Sequence, residues 1–211
     1  MTTEPRTSSP GRVGKRQAII AAALQIFARD GFASASMDDI ARVAHVAKPT
    51  IYNHFPDKRA LFAEVVVVGS AQANAKVNQV IDGIDLRPSD VRTELEVLGR
   101  GLVSCLQGDG SDIMRIQNSE GSRFPELVND ARLGNRNQTL DALAGKLAQL
   151  SATGQLHITD PPRAARQLMA LVSDEPLLAS GFGTRAIDDS LIDRSVREGV
   201  DTFLAAFGPS A

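Results

Sequence analysis

Residues 34–60 constrain this chain more than any other stretch: Ser-Ala-Ser-Met-Asp-Asp-Ile-Ala-Arg-Val-Ala-His-Val-Ala-Lys-Pro-Thr-Ile-Tyr-Asn-His-Phe-Pro-Asp-Lys-Arg-Ala. They spell two very short helices joined by a tight turn, then a Pro-Asp-Lys step into a third helix. Ser36 suits the cap of the first, with Asp39 three residues on to complete a capping box. Met37, Ile40, Ala41 and Ala44 then share one face at helical spacing. After a turn at His45 and Val46, Pro49 stands where a helix begins and its missing N–H costs nothing. Ile51 and Phe55 point inward, which leaves Lys48, Thr50, Asn53 and His54 outside. A short helix with one buried face and one basic, hydrogen-bonding face has the form of a major-groove reader.

The run Met37-Asp38-Asp39-Ile40-Ala41, followed by Ala47-Lys48-Pro49-Thr50-Ile51-Tyr52-Asn53-His54-Phe55 and Asp57-Lys58, resembles the signature of the TetR family of transcriptional regulators. The resemblance covers roughly residues 12–62. It departs at His45, where the family usually carries Gly; that position often needs a left-handed backbone, which His tolerates better than a β-branched residue. The resemblance implies that Lys48, Pro49 and Asn53 face base edges. Lys can donate to guanine, Asn can pair with adenine, and a Pro ring can touch a thymine methyl. It likewise implies that Thr50, Tyr52, His54 and Lys58 hold phosphates, setting register without reading sequence. Arg12, Lys15 and Arg16 either reach phosphate or the minor groove, or form a solvated basic segment.

Charge agrees with a nucleic-acid-binding end. Residues 1–60 hold nine Lys or Arg against five acids, a net of +4, so the remaining 14 basic and 20 acidic residues carry −6 and the whole chain −2. A basic head on an acidic body separates a DNA-binding part from a part that does not touch DNA. Only 4% of residues are aromatic while 43% are hydrophobic, a mixture of Ala, Leu and Val that suits close helix packing. The single Cys105 excludes a disulfide framework. The polar N-terminus lacks the apolar core of a signal peptide, and no apolar run is long enough to cross a bilayer, so the expected location is cytoplasmic with no membrane partner.

The pattern predicts an all-α chain of about nine helices: an arm over 1–11, a three-helix DNA-binding module over 12–60, and a ligand-binding and dimerisation body over 61–211. The fourth helix, opened by Asp57, runs from the module into the body without a linker. Beyond it come helices ending at Gly108-Asp109-Gly110, running from Ser111 to Ser119, and starting at Pro125 and at Asp160-Pro161, the last of these interrupted at Pro176. A final helix spans Asp188 to Phe207. Arg123-Phe124-Pro125-Glu126-Leu127, Gly154-Gln155-Leu156, Asp160-Pro161 and Ala164-Ala165 resemble the body of the AefR-like branch of the family.

That resemblance implies an effector cavity among the middle helices, for which Ser104, Cys105, Met114, Arg115, Asn118 and Arg123 are candidates; the alternative is that the arginines are surface charges and Cys105 a core filler. Leu168, Leu171 and Val172, with Ile192, Val196, Val200, Phe203 and Phe207, form the clearest apolar stripes and are the candidate dimer interface. His45, His54 and His157 lack metal spacing, and Gly11–Arg16 fails as a phosphate loop because Ser9 and Arg16 replace required residues. No metal, cofactor or enzymatic activity is expected. The reading is a homodimeric regulator of a palindromic double-stranded DNA operator, released by a small-molecule effector of unknown identity. Its rival is a DNA-bound protein-interaction factor without such an effector.

Overall fold

The computed structural model describes residues 10–107 and 109–209, without the side chains of Pro10, Asp109 and Asn135. The expected arm falls largely outside these residues, as does Gly108 of the expected Gly-Asp-Gly turn. Among the described residues there are nine helices and no strand: α1 Pro10–Ser34, α2 Met37–Val43, α3 Lys48–His54, α4 Lys58–Asp82, α5 Val91–Gln107, α6 Asp109–Glu120, α7 Pro125–Ala152, α8 Pro161–Ala179 and α9 Asp189–Phe207.

Local chemistry places most of the boundaries. Ser36 Oγ accepts from the Asp38 N–H at 3.1 Å, so it caps α2 as expected. Asp39 does not close the predicted box; its carboxylate pairs with Arg42 at 2.8 Å. Asp57 caps α4 through the Ala60 N–H, and Asp90, Asp160 and Asp188 accept from the first N–H groups of α5, α8 and α9. Gly31 has φ 72° and kinks α1; one further helical turn follows.

The apolar core falls into two clusters. The first joins α1, α2 and α3 to the first half of α4, with Ile116, Phe124 and Val128 from the body. The second gathers the end of α4 with α5, α7, α8 and α9. In the second, α5 is wedged between α4 and the α8–α9 pair. A Cβ on Gly99 would lie 2.9 Å from Val196 Cγ1, and one on Gly101 would lie 2.7 Å from Val80 Cγ1, so both glycines are required by close approach.

This wedge corrects the dimer expectation. Leu168, Val172, Ile192, Val196, Val200 and Phe203 are buried within the single chain, and Phe207 is half-buried and packed on the same core. Only Leu171 of that set is exposed, at 37%. The stripes are apolar because α5 covers them, and helical periodicity marks a buried face without naming the element that buries it. The expected break at Pro176 is also absent. Residue 176 lies buried inside α8, where proline removes one intrahelical hydrogen bond. The neighbouring Glu175 ties α8 to α9, accepting from Ser195 Oγ and, at 3.2 Å, from Arg194 Nη2. Those bonds also hold the Glu175 carboxyl below its usual range.

Because Val200 is fully buried against α5 and α8, Val200→Glu is expected to destabilise the fold by about 4 kcal/mol. Chemical denaturation checks this: a folded variant of unchanged stability would mean the side chain faces outward.

Candidate DNA-binding surface

The turn between α2 and α3 runs through His45 at φ 53°, the left-handed conformation that the residue type had to tolerate. It delivers Ala47, Lys48 and Pro49 to the start of α3, whose Ile51 is fully buried, with Phe55 buried just beyond its end. These two anchors orient the rest. Lys48, Pro49, Tyr52 and Asn53 are exposed, while Thr50 and His54 are half-buried.

Two grooves open between α3 and the start of α1. One of about 420 Å³ is lined by Arg12, Val13, Arg16, Gln17, Asn53 and His54. The other, of about 630 Å³, is lined by Gly11, Arg12, Lys15, Thr50, Asn53 and His54. Partial burial, with the charges of Arg12, Arg16 and Lys15 close by, lowers the His54 pKa below the ordinary imidazole value. Arg16 is itself anchored, 2.6 Å from Glu64 and 5.4 Å from the Phe55 ring centre. The surface is therefore cationic and recessed.

Two predicted contacts are engaged within the chain. Lys48 Nζ lies 2.9 Å from Asp38 Oδ2, and this hydrogen bond raises its pKa. The pair is exposed, so exchange for a base or phosphate partner costs little. Lys58 is corrected more firmly. Its Nζ donates to the Ala33 and Ala35 carbonyls at 3.2 and 2.9 Å and lies 4.8 Å from the Phe32 ring centre. The carbonyls left open where α1 ends take the ammonium inward, so Lys58 primarily closes that helix end.

Behind this surface the head is joined to the body at a seam that sequence reading missed. Glu120, ending α6 and buried, accepts the Phe32 N–H on its Oε1 at 2.8 Å. A Cβ on Gly31 would come within 3.2 Å of that same oxygen. Phe32, Phe62 and Phe124 meet with ring centres 4.7–5.1 Å apart, and Phe27 joins at 5.2 Å from Phe62. The only advance signal was the clustering of aromatics in a chain that has few.

The predicted effector residues do not all face the interior. Asn118 is exposed and accepts from Arg132 Nη2, and Arg123 is exposed with its guanidinium 4.8 Å from the Phe32 ring centre; neither lines an interior space. A face of α6 that reads as polar is also the face toward solvent. Met114 packs near Gly183 in the α8–α9 loop. Cys105 is half-buried, and burial pushes its thiol pKa up, away from a reactive thiolate. Arg115 pairs with Asp112 while its Nε is buried without a partner among the described residues.

A three-helix head with a short, externally polar third helix, fixed to a helical body through a continuous fourth, defines a helix-turn-helix DNA-binding regulator. Residues 19–65 match the profile of the bacterial regulatory proteins of the tetR family, and residues 93–209 match that of the AefR-like transcriptional repressor C-terminal domain. The chain belongs to the TetR family of transcriptional regulators. The regulator UidR of Escherichia coli K12 is 27% identical over 145 residues, covering 67% of this chain and 68% of its own. A putative TetR-family regulator from Mesorhizobium loti superposes with a TM-score of 0.84 at 27% identity, over 97% of this chain and all of that one (100%). The flavonoid-responsive regulator FrrA superposes with a TM-score of 0.67 at 29% identity, covering 93% of this chain and 98% of its own. Among the described residues no helix is long and apolar enough to cross a membrane.

Two expectations arise from this geometry. Lys58→Ala should cost about 1–3 kcal/mol of stability and leave the salt dependence of DNA binding unchanged, read by thermal melting and titration at several salt concentrations. Flattening of the salt slope by about one unit would restore the phosphate role. His54 in the free protein has a pKa below that of the unfolded chain, so its contribution to stability is complete above about pH 6.5 and is lost as pH falls. A phosphate in the groove opposes the field of Arg12, Arg16 and Lys15 and draws a proton onto the imidazole. DNA affinity should therefore rise as pH falls from about 7 toward 5.5, and His54→Gln should flatten that profile in fluorescence anisotropy.

Proposed function

We propose that this protein is a dimeric repressor that binds a palindromic operator through Lys48, Pro49 and Asn53 and is released by a small-molecule effector. The observation that carries the reading is the exposed edge of α3, held by buried Ile51 and Phe55 beside a cationic groove. Thr50, Tyr52 and His54 flank that edge as phosphate contacts, and the basic head of residues 1–60 supplies the sequence-independent attraction. Support for an effector comes from the flavonoid-responsive neighbour FrrA and from the buried Glu120 seam, by which a shift of α6 reaches the end of α1. A ligand that binds better to a conformer with displaced heads weakens DNA binding by that difference in affinity.

Family members bind operators as dimers, and the dimer surface proposed for this chain is the outer side of α8. Leu171 and Leu178 lie seven residues apart on α8 and are 37% and 56% exposed; Phe182, just beyond its end, is 44% exposed. The small exposed side chains Thr202 and Ala205 on α9 favour close approach of a second copy. Two-fold pairing sets the heads to read half-sites about 34–36 Å apart or a multiple of that.

The test is anisotropy titration of DNA selected from genomic fragments. Asn53→Ala should cost about 1–3 kcal/mol on operator and almost nothing on random DNA. Leu171→Glu with Leu178→Glu should yield a folded monomer by sedimentation that has lost operator affinity. Equal loss on both DNAs, or a variant that remains dimeric, would place the reading head or the interface elsewhere.

A further inference from the structure

Asp38 stands apart from the other described acids of the head. Asp30 pairs with Arg29 at 2.7 Å, Asp39 with Arg42 at 2.8 Å, and Asp57 caps α4, all contacts between close neighbours in sequence. Asp38 instead crosses the helix-turn-helix, from the first turn of α2 to the start of α3, with its Oδ2 2.9 Å from Lys48 Nζ. Its side chain is 69% exposed and that of Lys48 45%, so the pair faces outward. Behind it, α2 is anchored by buried Met37, Ile40 and Ala41, and α3 by buried Ile51. The left-handed turn at His45 sets the step between the two helices. The carboxylate therefore stands beside the lysine to which a base contact is assigned above.

An acid in the first turn suits the positive end of a helix, but that role needs no lysine, and Asp39 fills it equally. The pairing itself has a chemical match. An ammonium has three donors; Asp38 engages one of those on Lys48, which leaves two. Guanine presents two acceptors in the major groove, O6 and N7, and its partner cytosine presents a donor at N4. Within the base pair N4 donates to O6, which puts these atoms about 2.9 Å apart. The same spacing, 2.9 Å, separates Lys48 Nζ from Asp38 Oδ2. A donor and an acceptor held side by side thus meet an acceptor and a donor held side by side. Turned round as C·G, the base pair would set O6 and N7 against the carboxylate, with no proton between them. Thymine under the lysine would offer O4 as its one acceptor, with a methyl group beside it.

We infer that Asp38 and Lys48 read one G·C base pair as a unit, Lys48 donating to guanine O6 and N7 while Asp38 accepts from cytosine N4. The inference rests on the base contact proposed for Lys48 and adds an acidic residue that fixes the base and its orientation. The ammonium need not leave the carboxylate to make these contacts. Where no such donor is offered, Asp38 opposes binding, because a carboxylate facing phosphate or base acceptors is repelled and loses its water. Asp38 thus adds discrimination and subtracts bulk affinity, opposite in sign to the basic residues around the groove.

The experiment is selection of duplexes from a random-sequence library by the full-length protein, then anisotropy on the selected duplex and on random duplex, with thermal melting of each free variant. Lys48→Ala locates the base pair as the position where preference is lost. With that pair altered in both half-sites, the wild type should bind G·C at least about tenfold more tightly than C·G or T·A. Asp38→Ala should bind random duplex about three- to tenfold more tightly and accept C·G within about threefold of G·C. Asp38→Asn, whose amide both donates and accepts, should likewise admit both orientations. If Asp38 served only the helix, its variants would melt lower and weaken every duplex alike with base preference intact, which would overturn the inference. A position relaxed by Lys48→Ala but unchanged in both Asp38 variants would overturn it too, while leaving Lys48 as a base reader. No position relaxed by Lys48→Ala would remove the shared reading and the Lys48 contact together.

Discussion

The contact on which the arrangement of head and body depends is the Glu120 carboxylate accepting the Phe32 N–H. It joins residues 88 positions apart, and it does so at the left-handed Gly31, where a side chain would be strained and would crowd the same oxygen. The rings of Phe32, Phe62 and Phe124 pack beside it, and Lys58 and Arg123 lie against the Phe32 ring. Aromatic packing there is directional, so the three rings set an angle as well as an area. The kink of α1, the exit of α4 and the entry to α7 are thereby held to one geometry. A head attached this way turns with α6 and α4 and cannot swing independently of them.

The recognition surface follows from that rigidity. Ile51 and Phe55 are sunk in the head core, and Arg16 bridges α1 to Glu64 of α4. The exposed groups of α3 are therefore carried on a helix anchored in the head core. Electrostatics adds a second feature. Partial burial and the cations around His54 lower its pKa in the free protein, while Lys48 is held by Asp38. Both are local arrangements at the surface that an incoming polyanion can rearrange at small cost, unlike the buried seam behind them.

Several elements could be read directly from the residues. Ser36, Asp57, Asp160 and Asp188 cap helices where they stand because the cap is a contact between neighbours in sequence. His45 was legible as a left-handed position, and the recognition helix followed from its apolar pair and Pro49. The apolar stripes of α8 and α9 were also visible, yet their assignment failed. A stripe reports that a face is buried, and α5 rather than a second chain provides the cover. Pro176 misled for a related reason. Its local cost is real, but packing and the Glu175 bonds to α9 outweigh it.

What the sequence by itself determined is the order and type of the helices among the described residues, the family, and the short α3 with its buried Ile51. These rest on short-range terms: periodicity, capping, turn chemistry and a motif confined to neighbouring residues. The tertiary structure alone decided which way Lys58 and Arg123 point, which helix covers α8 and α9, and that Glu120 meets Phe32. It also decided that Ser70 and Asn74 lie inside, where polar residues in sequence would ordinarily mark solvent. The physical reason is common to all of these. Burial and partner choice are set by contacts between residues distant in the chain, and local spacing contains no term for them.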